Sequence, residues 1–448
     1  MGSEVKKALI VSYMFPPANA IGAVRVSKLA KYLPEFGWQP IVLTVDKNPY
    51  FPQTLPVEVD EADIVRTPYF YLNPVLNYHR LSEKSNVPVS KPSQALLRGK
   101  TFCNPVLFLA HLATNLLSQL PIVHDLLSGP TGWYFYAVKE GLRLLSRGDI
   151  SVIFSSSQPR TSHLIAARLH HRTKIPWVAE YRDLWVDPYD NKSRFYQFWE
   201  TKMERKVMKG CYTLITVSEF TTRQLEAVHH KKVAVIHNGF DEDDYRENVP
   251  LTPKFTLTST GSISSGKRNP ELVFQAIAQL WQEGKIVPDN FEVRLYGGSS
   301  LQTLLPLIEK YHLEGLVKIY GFVPFKECVR RQQESTVLLL PEWDSPLAQH
   351  APTGKLFEYL GAGRPVLAIA YKTGAIDKLL QETGAGIVVN EVEAIKGVLT
   401  RWLEEWQQSG RIISHWNPDI NVIKRYTRRE GARKLAQLLD EASECTYQ

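Results

Sequence analysis

The chain has little of what a disulfide framework, a metal cluster or a membrane span requires. Its 448 residues include only 4 cysteines, and these lie more than a hundred positions apart. No pair of them has metal-ligand or redox-motif spacing, and so few thiols in so long a chain are typical of a reducing cytoplasm. No apolar run approaches the ~20 residues of a membrane-crossing helix. The apolar stretch at 8–15 is too short for a signal peptide, so we expect a cytoplasmic protein.

Several binding classes also lack their sequence marks. The net charge of +7 is spread along the chain without a long Lys/Arg block, which argues against a nucleic-acid partner and favours phosphate esters or an acidic membrane surface. No Gly-x-Gly-x-x-Gly follows the first predicted strand of either half, and there is no Walker loop. Both absences argue against dinucleotide dehydrogenases and P-loop enzymes.

Apolar, β-branched runs alternate with stretches of helical periodicity along the chain. Predicted strands are 8–15, 39–45, 151–157, 176–181, 212–219 and 233–237, then 255–260, 291–296, 317–320, 336–340, 366–370 and 386–389. Such alternation predicts mostly parallel sheets covered on both faces. We therefore predict an α/β fold with two doubly wound, Rossmann-like domains that face each other across a cleft, at 1–238 and 239–420. A last helix in 421–448 is predicted to pack back across the hinge.

The segment 101–138 contains no Lys or Arg. Its apolar residues leave only a narrow polar stripe, so it predicts an apolar helical insertion in the first domain. Two interpretations stay open: a helix buried in that domain, or a surface helix that dips into a membrane holding a lipid-linked acceptor.

The most informative motif follows the predicted strand at 336–340. Thr353 is predicted to cap a helix, and Gly354 lets a ligand approach the backbone. Lys355 and the free N–H groups of the first turn then form an anion site. Glu358, about one turn further on, can accept hydrogen bonds from a diol. A diphosphate site beside a diol-binding carboxylate suits a nucleotide-sugar.

A second loop at 261–270 also joins a strand to a helix. Gly261 allows close backbone approach, and Lys267 and Arg268 can neutralise a departing diphosphate. The alternative is a solvated turn. Gly22, in the corresponding loop of the first domain, could contact the ligand or merely begin a helix.

Two further polar groups have alternative interpretations. Arg182 and Asp183 follow a predicted strand, where they are either cleft residues or a structural pair. The acidic cluster Asp241-Glu242-Asp243 has the outline of a metal clamp, but its place in a connector favours a solvated turn.

Taken together, these pieces resemble family-4 glycosyltransferases of the GT-B fold, over nearly the full length, and bacterial members acting in cell-surface polysaccharide assembly in particular. The segments that carry the resemblance are Phe15-Pro-Pro17 with Gly22 and Arg25, Ser157-Gln-Pro159, Trp177 to Trp185, Val217-Ser218, Ile236 to Asp241, Gly261 to Pro270 and Gly354 to Pro365. The resemblance implies retaining transfer from a nucleotide-diphosphate sugar to a saccharide or lipid-linked acceptor, with no metal and no other cofactor. It also implies a possible place on the inner face of the membrane.

The same resemblance implies roles for single residues. Glu358 matches the ribose-binding glutamate, and Lys267 or Arg268 matches the basic residue that stabilises the leaving diphosphate. The backbone from Thr353 to Leu356 matches the phosphate and donor-sugar loop.

Three positions depart from the family pattern. His350 stands where a second glutamate is usual, and Ser262 stands where a basic residue often follows the glycine. Arg182 stands where many members carry histidine, next to Asp183.

Two other functions remain as hypotheses. A nucleotide-sugar epimerase or hydrolase of this fold would consume the donor without an acceptor. A catalytically degenerate nucleotide-sugar-binding protein would bind the diphosphate and never turn over.

Overall fold

In the computed structural model, the described residues are 5–46, 51–69, 132–186, 193–261, 263, 268–298, 301–346 and 352–445. The chain divides into two compact units. The first consists of Met1–Ile236 with Ala432–Gln448, and the second of His237–Gly431.

The first unit is a parallel sheet with helices between its strands. Its strands are β1 (Lys6–Ser12), β2 (Trp38–Val45), β3 (Ile64–Thr67), β4 (Ile150–Ser157), β5 (Trp177–Tyr181), β6 (Thr213–Thr216) and β7 (Val233–Val235). Its helices are α1 (Ile21–Tyr32), α2 (Tyr134–Leu145), α3 (Thr161–Thr173), α4 (Arg194–Met208) and α5 (Glu219–His229). The strand order is β3-β2-β1-β4-β5-β6-β7. Neighbouring strands pair in parallel throughout this sheet.

The second unit repeats this architecture. Its strands are β8 (Phe255–Thr260), β9 (Phe291–Tyr296), β10 (Val317–Gly321), β11 (Val337–Pro341), β12 (Val366–Ile369) and β13 (Gly386–Val388). Its helices are α6 (Glu271–Gln282), α7 (Leu301–Lys310), α8 (Phe325–Gln333), α9 (Gly354–Ala362), α10 (Ala375–Thr383), α11 (Val392–Ser409) and α12 (Ile420–Ile423). The strand order β10-β9-β8-β11-β12-β13 is that of a doubly wound sheet.

Each unit encloses cores of its own on the two faces of its sheet. In the second unit, Leu257 and Leu339 belong to one core, whereas Leu338 and Leu340 belong to the other. Successive residues of a strand point to opposite faces, so the unbroken apolar run of β11 fills both cores. This burial fixes the central strands from which the loops of the site emerge.

The last helical region differs from its prediction as one helix. A short helix at Ile420–Ile423 and a 3-10 turn at Lys424–Tyr426 precede α13 (Arg428–Glu444). The division between the units falls within α13, and its later residues, including Leu435 and Leu439, pack into a core of the first unit.

Two further differences concern the first unit. The strand β3 (Ile64–Thr67) has only 4 residues, and its short run gave too weak a pattern to be predicted. The predicted insertion at 101–138 lies outside the described residues up to position 131, and α2 begins at Tyr134.

Candidate active site

The site in the second unit lies at the point where the strand order reverses. There β8 and β11 are neighbours, and Val337 pairs with Leu257. A doubly wound sheet binds its ligands beyond the carboxyl ends of the strands at such a point. The residues that leave these two ends are Gly261, after β8, and Glu342, after β11.

Gly261 has a conformation and a neighbour that require glycine. Its φ is +95°, and its amide donates to the carbonyl of Tyr296 at 2.8 Å. A Cβ at this position would lie 2.8 Å from Nζ of Lys355. The structure therefore brings together the two predicted glycine and lysine positions from separate loops.

The helix α9 presents its N-terminus at the same place. Thr353 is the N-cap residue with φ −65° and ψ 150°, but its side chain makes no capping hydrogen bond. The helix therefore begins at the predicted cap residue, but without a hydrogen bond from its hydroxyl. The first N–H groups of a helix have no intrahelical acceptor, so this terminus suits an anion.

A ligand can approach the backbone at Gly354. Among the described residues, no heavy atom outside the helix backbone and the two chain neighbours lies within 4 Å of where a Cβ of Gly354 would be. The side chain of Leu356, by contrast, is fully buried in the core. At these two predicted positions, only the backbone is available to a ligand.

Lys355 is a partly buried cation. Burial and, to a smaller extent, the charge of Arg268 lower the pKa of its ammonium group, Glu342 and Glu358 act in the opposite direction, and the resulting pKa is about 8. Incoming negative charge would relieve this electrostatic cost. The Lys355 ammonium group is thus poised to bind an anion.

Arg268 is held by a carboxylate that sequence reasoning missed. Its Nε donates to Glu342 Oε2 at 3.1 Å, while Glu342 Oε1 is buried and has no hydrogen-bond partner among the described residues. A buried carboxylate oxygen without a donor is costly, so it marks a place where a ligand donor fits. The signal available in the sequence was the position of Glu342 directly after β11.

Glu358 lies on α9 one turn from its start and is oriented by α8. Gln332 Nε2 donates to Thr260 Oγ1 at 3.0 Å and makes a long hydrogen bond of 3.5 Å to Glu358 Oε2. Burial raises the pKa of the Glu358 carboxyl, and the Gln332 hydrogen bond opposes that rise. Gln332 was also missed, because nothing in the sequence of α8 distinguishes it.

The helix α9 contains one glycine and ends at another. Gly363 is the C-cap in the left-handed region at φ +64°. Gly361 lies inside the helix, where a Cβ would lie 2.7 Å from ring atoms of Phe240 and Tyr245. Gly361 therefore serves close packing and does not end the helix.

In the first unit, the predicted residues Gly22 and Arg182 meet each other. A Cβ on Gly22 would lie 2.7 Å from Arg182 Nη2. Arg182 Nε donates to the carbonyl of Ser157 at 2.6 Å, and its Nη2 donates to that of Gln158. Arg182 thus joins the loops after β4 and β5 to α1, while Asp183 is exposed.

A buried ion pair lies deeper in this unit. Arg25 donates to Glu180 at 2.8 Å and to the carbonyl of Ile236 at 2.7 Å. Burial raises the pKa of Glu180, but Arg25 and Ser156 outweigh that effect and lower it overall. Sequence reasoning noted Arg25 without its partner, which is distant in the chain.

The side chains of His163 and Asp241 both have structural roles. His163 is fully buried against Ser155, at 2.9 Å, and burial lowers the pKa of its imidazole to about 3. Asp241 Oδ1 accepts the amide of Asp243 at 3.0 Å and so caps a 3-10 turn. Of the other predicted site residues, Ser262, Lys267 and His350 lie outside the described residues.

Two family models match the chain in succession. The model described as Glycosyltransferase Family 4 matches residues 105–244, and Glycosyl transferases group 1 matches residues 241–415. Together they cover more than half of the sequence and include both loops of the site. The chain belongs to the family-4 glycosyltransferases. The predicted family and enzyme class are confirmed.

Solved structures share the fold of this glycosyltransferase at low identity. A glycosyltransferase from Rickettsia africae ESF-5 is 14% identical with a TM-score of 0.58, over 98% of this chain and 99% of that chain. HepE from Anabaena, in complex with UDP and glucose, is 14% identical with a TM-score of 0.56, over 97% and 99%. Sucrose-phosphate synthase from Thermosynechococcus elongatus is 15% identical with a TM-score of 0.58, over 97% and 98%. These likenesses confirm the predicted two-domain α/β fold of the GT-B type.

Among curated protein sequences, none matches this glycosyltransferase significantly. Within the part of the chain that the structure describes, no helix combines the length and the apolarity needed to cross a membrane.

Proposed function

We propose that this glycosyltransferase moves a sugar from a nucleotide-diphosphate sugar to a hydroxyl of a saccharide or lipid-linked acceptor, with retention of the anomeric configuration. The observation that carries the proposal is the meeting of two cations with an open helix N-terminus at the switch point of the second sheet. Lys355 and Arg268 lie there with the backbone of Gly354. The Anabaena HepE structures, which contain UDP with glucose or UDP-glucose, support a donor of this class.

The chemistry follows from where charge develops. The acceptor hydroxyl oxygen bonds to the anomeric carbon on the face that the diphosphate leaves, as the bond between that carbon and the diphosphate oxygen breaks. The diphosphate leaves with the bonding electrons, and its freed oxygen takes the proton of the acceptor hydroxyl. Lys355, Arg268 and the α9 amides are aimed at this charge, and each preorganised donor of this kind is worth about 3 kcal/mol. These groups supply the stabilisation that a divalent cation would otherwise give, so we propose transfer without a bound metal.

Glu358 is proposed to bind the ribose diol. Its carboxylate lies one turn inside α9, so the diphosphate and the ribose can be held by one helix. Glu342 is proposed to release Arg268 to the diphosphate. Its Oε1 is buried and has no hydrogen-bond partner among the described residues, so it is proposed to accept hydrogen bonds from the nucleotide-sugar. Glu358 and Glu342 would thus bind the same nucleotide-sugar as Lys355 and Arg268.

The acceptor end of the proposal is a surface polysaccharide in assembly, with the enzyme on the inner face of a membrane. The net charge of +7 suits anionic lipid and phosphate-bearing acceptors. Lipid-linked acceptors are restricted to the membrane surface, so their transferase must work there.

The test compares nucleotide binding and turnover in two variants with a matched control. Lys355→Ala and Arg268→Ala should each lose at least tenfold in turnover and weaken the thermal stabilisation by UDP, GDP or ADP. Lys378→Ala, which removes an exposed lysine of the same unit, should change neither. Undiminished stabilisation and turnover in both site variants would refute the proposed donor site.

A donor-only reaction separates the alternative chemistries. A transferase releases its nucleoside diphosphate at full rate only when acceptor is present, whereas a hydrolase or epimerase consumes the donor alone. Donor consumption that does not respond to any extract of acceptors would contradict transfer.

A further inference from the structure

The helix α4 (Arg194–Met208) buries its two acids and exposes three aromatic side chains, although Met208 near its end lies in the core. Its two carboxylates, Glu200 and Glu204, are only 1% and 3% exposed. Its aromatic residues Phe195, Phe198 and Trp199 are 71%, 61% and 44% exposed. A surface helix of a globular protein normally turns its apolar side chains inward. An outward aromatic face therefore indicates a partner for that face.

Both acids of α4 are paired on its buried side. Glu200 accepts from Trp185 Nε1 at 2.9 Å and pairs with Arg160. Glu204 lies 3.1 Å from Nε2 of His229. These inward pairs hold α4 against its unit, so its outward face is a fixed feature of the folded chain.

The outward aromatics form one cluster. The ring of Trp199 lies 6.1 Å from that of Phe195 and 5.8 Å from that of Phe198, measured between centroids. Lys202 Nζ lies 5.0 Å from the centroid of Trp199. The spacing of three and four residues places these side chains on one side of the helix. A wide apolar ridge thus carries a cation at its edge.

The same face carries positive charge without negative charge. We define the α4 face as the exposed side chains Phe195, Phe198 and Trp199 with Arg194, Lys202, Arg205, Lys206 and Lys209. Glu200 and Glu204 are the only acids of this helix, and both are buried. The α4 face therefore complements an anionic surface with an apolar interior.

An adjoining cavity extends this surface. It has a volume of about 800 Å³ and is lined by Phe135 and Leu164 together with Arg168, Lys206 and Lys209. Phe135 is itself 62% exposed. Apolar walls with cations around them repeat the chemistry of the α4 face.

We propose that the α4 face docks on the surface of an anionic lipid bilayer. The aromatic ridge enters the boundary between headgroups and acyl chains, and the cations contact lipid phosphates. A second copy of the chain is a poorer occupant, because its own five cations would meet these five. The inference deepens the proposed membrane location and rests on that part of the proposed function.

The test uses the full chain and sedimentation with vesicles. Binding is expected to vesicles of phosphatidylcholine mixed with phosphatidylglycerol and to be at least tenfold weaker with phosphatidylcholine alone. The triple variant Phe195→Ser, Phe198→Ser, Trp199→Ser and the double variant Lys202→Glu, Lys206→Glu should each lose about tenfold or more in vesicle affinity.

Matched controls come from exposed residues of the second unit. Ile413→Ser with Ile420→Ser replaces side chains that are 69% and 56% exposed, and Lys372→Glu with Lys424→Glu reverses two exposed charges. Both control variants should bind anionic vesicles within about twofold of the unchanged chain. Equal losses in the controls would show that general charge and apolarity are responsible, which overturns the α4 assignment.

Two further measurements make failure specific. Thermal stabilisation by UDP, GDP or ADP should persist in the α4 variants. If these nucleotides do not stabilise even the unchanged chain, the donor site is refuted while the docking proposal stands. Vesicle binding that is unchanged in both α4 variants would overturn the docking. Light scattering that shows a dimer abolished by the triple variant, without vesicle binding, would also overturn it.

Discussion

At the scale of single residues, Gly261 combines backbone freedom with close packing against Lys355. Its left-handed φ of +95° and its contact with Lys355 both depend on the missing Cβ. A side chain there would strain the backbone and displace the ammonium group from the proposed diphosphate site. Backbone strain can be separated from displacement of the Lys355 ammonium group, because another glycine of this unit has a left-handed φ without such a neighbour.

We expect Gly261→Ala to abolish nucleotide binding with only moderate destabilisation. The left-handed conformation costs an alanine about 1–2 kcal/mol in the free energy of unfolding. Gly410→Ala is the control, since Gly410 has φ +67° and nothing within 4 Å of a Cβ. Both variants should lower the melting temperature, but only Gly261→Ala should lose stabilisation by UDP. Full UDP stabilisation in Gly261→Ala would contradict the site.

Lys355 also predicts opposite pH effects on stability and on binding. Burial lowers the pKa of its ammonium group from 10.5 to about 8. Between these two values the unfolded chain binds more protons at Lys355, so its contribution to the free energy of unfolding rises with pH. Anion binding needs the protonated form, so affinity for a nucleoside diphosphate should fall as pH rises above 8.

Calorimetric titration of GDP between pH 7 and pH 9 measures this slope. Lys355→Met should bind more weakly at pH 7 and show little further loss on going to pH 9. Lys378→Met, at an exposed position of the same unit, should keep the slope of the unchanged chain. A slope that survives in Lys355→Met would assign the titration to another group.

At the scale of elements, α13 belongs to both compact units. Its first residues lie in the second unit, and from Ala432 onward it belongs to the first. Leu435 and Leu439 recur at helical spacing and are fully buried in a core of the first unit. The helix is therefore part of the structure of the first unit, although it follows the second in the chain.

Truncating this apolar face should destabilise the first unit. Leu435→Ala and Leu439→Ala are each expected to cost about 2–5 kcal/mol in the free energy of unfolding. Gln437→Ala lies on the same helix at an exposed position and should cost less than about 0.5 kcal/mol. Denaturant unfolding measures all three, and equal costs would show that α13 does not pack as described.

At the scale of the whole molecule, the two units have separate hydrophobic cores and separate tasks. The proposed diphosphate site lies within the second unit, at the loops after β8 and β11 and the start of α9. The α4 face belongs to the first unit. Ligands of these two surfaces should therefore stabilise different parts of the chain.

Calorimetry should resolve two unfolding transitions, because each unit encloses its own cores. Saturating UDP should raise the transition of the second unit by several degrees and move the other much less. Leu435→Ala should identify the transition of the first unit by lowering it. A single transition, or equal shifts of both by UDP, would contradict independent units.

Much of the candidate site could be read from local sequence. Gly261, Gly354, Lys355 and Glu358 lie within two short motifs, and the structure brings these motifs together. The residues that orient them could not be found this way. Arg268 and Glu342 are 74 positions apart, and Gln332 and Glu358 are 26 apart. Nothing in the local pattern at either position indicates such a pairing.

The sequence by itself determined the order of strands and helices, because the period of apolar residues differs between the two and buried parallel strands form continuous apolar runs. It also determined that glycine and lysine lie where a strand passes into a helix. Only the tertiary structure decided which charges are neutralised and which face outward. The acids of α4 turn inward to Arg160 and His229 and its aromatics turn outward, since burial and pairing depend on neighbours distant in the chain.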